Sequence, residues 1–355
     1  MGHFATFFTG KLPEETDYRM ASNSAAWQNA VGEKLNVQSA PYTPPSENEI
    51  VIKNQAWAVN PIDWLVQENA LFDWMKYPLI TGSDIAGEVV EVGSGVVRFK
   101  KGDRILAMSI GQDKNKPSEG AYQLYSVVQT VLAAPIPDSM SYAQAAVFPL
   151  GLCVAACGLF QQDQLALQHP TVPPKPTGKT IIVWGGASSV GSNAIQLAVA
   201  GGYEVFSTAS LKNFDHLQKL GASKMFDYNS KTVVDDLVSA LKNKQFAGLF
   251  HAAGSSEASF EVVDKATGTK FVSSAPPIPE NKPGGVEANM VWGSSLKDNE
   301  VGPAIFVDFL PKALAEGKYI PAPEPWIVGK GLESIQDGFE AQKKGVSAKK
   351  VVITV

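Results

Sequence analysis

The stretch Thr180-Ile181-Ile182-Val183-Trp184-Gly185-Gly186-Ala187-Ser188-Ser189-Val190-Gly191 is where this sequence most plainly offers chemistry. A β-branched run, read as a buried strand, leads into a turn of small residues, and the apolar helical pattern Ala194-Ile195-Gln196-Leu197-Ala198-Val199-Ala200 follows. Small side chains let backbone N–H groups approach a pyrophosphate, and the next helix adds the positive end of its dipole. Gly186, Ala187, Ser188, Ser189, Val190 and Gly191 are therefore the phosphate-binding candidates, with Gly191 allowing the helix to pack closely on the strand. The literal pattern is G-x-S-x-x-G, with Ser188 in the place usually held by the middle glycine. Such a turn is also a generic tight connection. A second β-branched run, Tyr203-Glu204-Val205-Phe206-Ser207-Thr208, ends about 20 residues further on, as a βαβ unit requires, and favours the dinucleotide reading.

The residues after that second strand choose between nicotinamide cofactors. An NAD site places Asp or Glu there to accept hydrogen bonds from the ribose 2′-hydroxyl, and that carboxylate repels a 2′-phosphate. Here the segment is Thr208-Ala209-Ser210-Leu211-Lys212-Asn213, with no acid before Asp215. Ser210 and Lys212 can donate to a phosphate, which points to NADPH. The plainer alternative makes Ser210 the N-cap of a solvated helix.

Composition bounds the rest. A chain of 355 residues can bury a large core and should form two domains. A formal net charge of −5 argues against nucleic acid or an anionic membrane surface as the main partner. The two cysteines, Cys153 and Cys157, cannot build a four-ligand zinc site or a disulfide framework, and their usage fits a reducing, cytoplasmic location. No apolar run long enough for a membrane span is expected. The first 20 residues read as an extension. Its start fits the loose myristoylation pattern through Gly2, which alone anchors weakly.

The elements that must position the turn alternate in character. From Ala25 to Ile136 short strands are separated by Pro and Gly turns, which predicts a strand-rich, partly closed barrel. From Ser141 the pattern turns helical and then alternates strand and helix to about residue 312, the doubly wound α/β pattern. A last strand runs over Lys349-Lys350-Val351-Val352-Ile353-Thr354-Val355, and there are no internal repeats.

With Val59-Asn60-Pro61-Ile62-Asp63, Thr81-Gly82-Ser83-Asp84-Ile85-Ala86-Gly87, Lys101-Gly102-Asp103-Arg104 and Ala145-Ala146-Val147-Phe148-Pro149-Leu150-Gly151-Leu152, in this order and spacing, the chain resembles the medium-chain dehydrogenase/reductase superfamily. The resemblance implies a GroES-like β-barrel domain (21–155 and 313–355) and a Rossmann doubly wound parallel-sheet domain (156–312), with a substrate cleft between them. The zinc members carry a His before the acid of the Gly-Ser83-Asp84 segment and an earlier Cys. This chain has neither, so no metal is expected and the zinc-free branch, quinone oxidoreductases and fungal stand-alone enoyl reductases of secondary metabolism, fits best.

That branch implies reduction of an activated C=C, an enone or enoyl thioester, as a monomer or homodimer acting on a small conjugated carbonyl compound. A quinone reductase and a non-catalytic NADPH-binding interaction protein are the alternatives. In the resemblance Asn60 lies by the nicotinamide and hydrogen-bonds substrate, Cys153 replaces a Thr there, and no Lys follows Asp63 as a proton donor. Tyr228 matches a position against the adenosine phosphate, while Ala253 and Ser273 stand at strand ends framing the cofactor. Trp57, Trp64, Trp74 and Tyr77 are expected to make the barrel side of the cleft aromatic, although core packing would use them equally well.

Overall fold

A computed structural model describes residues 22–355, so the expected extension over 1–20 and the Gly2 pattern lie outside the described residues. The first half is built from β1 (Asn23–Gln28), β2 (Asn36–Ala40), β3 (Glu49–Ala58), β4 (Leu79–Ile80), β5 (Asp84–Val92), β6 (Arg104–Met108), β7 (Tyr125–Gln129) and β8 (Ala133–Pro135). Six parallel strands follow: β9 (Lys179–Trp184), β10 (Glu204–Ala209), β11 (Lys224–Asp227), β12 (Gln245–His251), β13 (Phe271–Ser274) and β14 (Glu287–Met290). The chain then returns to the first half with β15 (Glu324–Lys330) and β16 (Lys349–Thr354).

The barrel sheet runs β15-β16-β3-β5-β6-β8, with β7 also on β3. In β3, Ile50, Ile52 and Trp57 are fully buried while Lys53 is exposed. The parallel sheet runs β11-β10-β9-β12-β13-β14, the Rossmann order. Strands covered by helices on both faces read as continuous apolar runs, and β9 is buried from Thr180 to Trp184. Because β10 and β12 flank β9, the connections diverge there, and the carboxyl ends of these strands form the crevice in which open α/β sheets bind ligands.

Between the halves lies a stretch that corrects one sequence expectation. Tyr142–Phe160 is, after all, long and apolar enough to cross a membrane, but 83% of it is buried inside the fold. It is two helices, Tyr142–Ala145 and Pro149–Phe160. Pro149 starts the second, at the position where a missing N–H costs nothing. That helix packs on the helix following β9 and belongs to the core shared by both halves.

Candidate active site

The turn after β9 has the backbone that close approach to a ligand needs. Gly185 has φ +80°, and a Cβ on Gly191 would lie 2.3 Å from the Gly185 carbonyl oxygen. A Cβ on Gly186 would lie 2.1 Å from the Ser207 hydroxyl. Ser188 is the N-cap of the helix Ser189–Ala200: its hydroxyl accepts from the Gly191 N–H at 3.0 Å and donates to the Gly185 carbonyl at 2.9 Å. The hydroxyl thus fastens the turn from within, and the N–H groups at the start of that helix remain for an anion. Residues Ser189 and Val190 begin the helix and are half-buried.

A cavity of about 450 Å³ opens at the carboxyl ends of β9, β10 and β12. Its walls include Gly185, Ala187, Ser188, Thr208, Ala209, Asn213, Tyr228, Ala253 and Gly254, and no carboxylate. Tyr228 is 47% exposed and faces this space. Ser210 is half-buried and precedes the short helix Leu211–Asn213, on which Lys212 is exposed. Neither of these two is part of the cavity wall itself.

Sequence reasoning missed a wall from the other domain. Val346, Ser347 and Ala348, in the loop before β16, line the same cavity. The Asn213 amide donates to the Ser347 hydroxyl at 3.1 Å and lies 3.3 Å from that of Ser210. Ala348 holds a left-handed φ of +50° to make the loop. A β-barrel loop 134 residues away gives no local sign that it will meet the nucleotide domain. This glycine cradle, open helix start and carboxylate-free cavity fit a nicotinamide dinucleotide.

Three expected site residues have their side chains engaged inside the fold. The Ser273 side chain is fully buried and donates to Gln164 at 2.7 Å, which leaves only its backbone at the strand end to frame a cofactor. Cys153 is fully buried within the helix Pro149–Phe160, and burial pushes its thiol well above the ordinary range. Asn60 is 4% exposed. Its amide donates to Asp84 at 2.8 Å and its carbonyl accepts from Lys350 at 2.5 Å. Asn60 also caps the helix Pro61–Glu68, and its backbone N–H donates to Asp63 at 2.7 Å.

Asn60 belongs to a buried polar network with Asp63, Asp84, Tyr122 and Lys350. Lys350 pairs with Asp84 at 2.8 Å, and their side chains are 3% and 0% exposed. Asp84 also accepts from the Leu150 N–H at 2.5 Å and so fixes the start of the helix Pro149–Phe160. Asp63 accepts from the Tyr122 hydroxyl at 2.8 Å. Burial raises the Asp63 carboxyl to about 7, against the pull of its two hydrogen-bond donors. Asp63 and Asp84 thus both accept backbone N–H bonds and hold loops. His251, at the end of β12, is also buried; its Nδ1 is 3.2 Å from the Ser274 hydroxyl, and burial lowers its pKa.

Of the aromatics expected at the cleft, Trp57 is instead fully buried in the barrel core. Trp64 is half-buried beneath Lys343, whose ammonium lies 5.6 Å from its ring. Trp74 is 46% exposed and stacks on Phe72, and Tyr77 is half-buried.

Known proteins resemble this arrangement over nearly its whole length. Residues 46–155 match the family described as "Alcohol dehydrogenase GroES-like domain". The chain is 50% identical to the dehydrogenase pigH of Monascus ruber, across 95% of this chain and 100% of that protein. It is 41% identical to the trans-enoyl reductase himH of Aspergillus japonicus, across 94% and 97% of the two chains. An alcohol dehydrogenase superfamily protein from Novosphingobium aromaticivorans superposes with a TM-score of 0.77 at 24% identity, covering 94% of this chain and 99% of that one. That last likeness bears on the fold alone.

Proposed function

From the premise that this chain belongs to the medium-chain dehydrogenase/reductase superfamily, in the branch of trans-enoyl reductases and quinone oxidoreductases, we propose that it is a zinc-independent, NADPH-dependent reductase of activated C=C bonds. The observation that carries the reading is the make-up of the segments where zinc relatives carry their metal ligands. Where the zinc relatives place Cys and His, this chain places Asn60 and Ser83, and the acid of that segment, Asp84, is neutralised by Lys350. Among the described residues no group of three or more His, Cys, Asp and Glu is arranged to hold a metal ion. An acceptor reduced here must delocalise its own developing charge, which conjugation with a carbonyl does. The relationship to proteins named trans-enoyl reductase supports the same chemistry.

NADPH, when bound, supplies the hydride. The chain's own residues bind and orient. The backbone N–H groups of Ser189 and Val190 would hold the pyrophosphate, Thr208, Asn213, Tyr228 and Ser347 would hold the adenosine end, and Ser210 and Lys212 would donate to the 2′-phosphate. The carboxylate-free wall supports NADPH over NADH. Leu65 stands where a donor Lys would be, so α-protonation of the enolate falls to water. The buried free thiols of Cys153 and Cys157 suit a reducing, cytoplasmic compartment in fungal secondary metabolism.

The test is to supply 4-deuterated NADPH with a simple enone to chelator-dialysed protein and locate the label in the product. Deuterium at the β-carbon, at undiminished rate, is the expected result. Deuterium on a carbinol carbon, or activity restored only by added zinc, would overturn the proposal.

A further inference from the structure

Three aromatic residues from the two halves of the molecule meet in the open. Phe72 and Trp74, on the barrel loop after the helix Pro61–Glu68, are stacked with centroids 4.5 Å apart. Trp292, two residues beyond β14, meets their rings edge-on at 5.5 and 5.9 Å. Rings that served only to join two domains would be buried by the joint. Trp74 remains 46% exposed and Trp292 39% exposed, and an exposed apolar cluster of this kind marks a binding surface.

The cluster is held in place rather than loosely draped. Asn115, in a left-handed conformation with φ +53°, accepts from the Lys76 N–H at 2.7 Å and donates to the Trp74 carbonyl at 2.8 Å. On the other side, the Cys157 thiol reaches the Trp292 carbonyl at 3.4 Å.

A continuous path of contacts joins the cluster to the nucleotide turn. A Cβ on Gly293 would lie 3.0 Å from the Val154 side chain and 3.5 Å from that of Leu150. One on Gly151, in the same helix, would lie 2.6 Å from the Ser189 hydroxyl, the first residue of the dinucleotide helix. From Gly151 to Val154 the helix advances only about 4.5 Å. The aromatic surface therefore begins within one helical turn of the residues assigned to the cofactor. Leu150 and Val154, both half-buried, form an apolar strip between them.

We propose that Phe72, Trp74 and Trp292 form the substrate-selecting surface of this cleft, favouring flat, extended conjugated acceptors, aryl- or polyene-conjugated carbonyl compounds, over short enones. This rests on the C=C reductase reading above. Stacked and edge-on rings offer π-faces to a planar acceptor, and each such contact adds to the apolar area buried. A short enone would end along the Leu150–Val154 strip and leave the rings untouched.

The experiment compares kcat/KM for trans-chalcone and 2-cyclohexen-1-one in the wild type, Trp74→Ala, Trp292→Ala and Trp74→Phe. The chalcone-to-cyclohexenone ratio should fall about tenfold in each Ala variant, chiefly through the KM for chalcone, and Trp74→Phe should recover most of it. An unchanged ratio, which is what a merely structural joint predicts, would overturn the proposal. If the wild type reduces neither compound, the reductase reading fails on its own, and the surface is tested by binding. Chalcone titrated into the NADPH-loaded wild type should quench tryptophan fluorescence saturably, with much weaker affinity in Phe72→Ala. Equal affinity in both would refute it.

Discussion

Replacing Gly191 by Ala adds one methyl group at the tightest point of the nucleotide turn. The new Cβ would lie 2.3 Å from the Gly185 carbonyl oxygen and 2.7 Å from the Gly186 Cα, whereas real Cβ contacts essentially never fall below 3.0 Å. Both neighbours are backbone, so no rotamer change relieves the clash. Strand end and helix start must part by at least 0.7 Å. Overpacking of this kind costs about 1–3 kcal/mol of stability. The same movement carries the Ser189 and Val190 N–H groups back with the helix. A hydrogen bond of about 2.9 Å lengthened by that amount is no longer one. Losing one charge-assisted bond to phosphate costs about 1.5–3 kcal/mol, or roughly 10- to 100-fold in Kd. Isothermal titration with NADPH measures the affinity, and a thermal melt measures the fold. Gly284→Ala is the control, since a Cβ there meets nothing within 4 Å. If Gly191→Ala binds NADPH within about twofold of the wild type while remaining folded, the geometry assigned to the turn is wrong.

Three further outcomes follow from the described contacts. Lys350→Met leaves the Asp84 carboxylate buried without its cation and should destabilise the fold by about 3–5 kcal/mol, read as a lower urea midpoint; adding Asp84→Asn should recover part of the loss, and an unshifted midpoint would contradict the ion pair. The Asp63 carboxyl is raised in the fold to about 7 from 3.8, so its stabilising contribution is fully present below about pH 4 and is lost as the pH rises through 7. Asp63→Asn should therefore gain stability relative to the wild type as the pH rises from about 4 to about 7, and parallel pH–Tm curves would refute this. Lys212→Ala should weaken NADPH about tenfold and leave NADH unaffected; equal affinities of the wild type for the two cofactors would remove the basis for the assignment.

The nucleotide turn was legible because its constraints are local. Gly185, Ser188 and Gly191 are dictated by sterics and capping within seven residues, and the same holds for the βαβ alternation around them. The barrel was legible as strands, though not in its order, since β16 pairs with a strand nearly 300 residues earlier. Side-chain roles failed where orientation depends on distant partners. Asn60 reads as a donor near a cofactor until Lys350 takes its carbonyl oxygen and Asp84 its amide. Ser273 alternates toward the core on β13, and no local pattern shows that Gln164 waits there. Ser347 and Trp292 carried no signal, because each acts only after one domain has docked on the other.

The placement of β16 also governs the order in which this protein is made. All six strands of the nucleotide-binding sheet are complete by Met290. The barrel, by contrast, keeps an empty slot between β3 and β15 until Lys349–Thr354 has been synthesised. During translation the first-made lobe must therefore wait, with Ile50, Ile52 and Trp57 awaiting Val351 and Ile353, for a strand that emerges after the whole nucleotide domain. Domains usually finish from the N-terminus onward, and unpaired strand edges invite aggregation in the interval. On this topology the nucleotide domain can be complete before β16 closes the barrel. Anything that delays release of the final strand should lower the yield of folded protein more than a comparable delay anywhere inside the nucleotide domain.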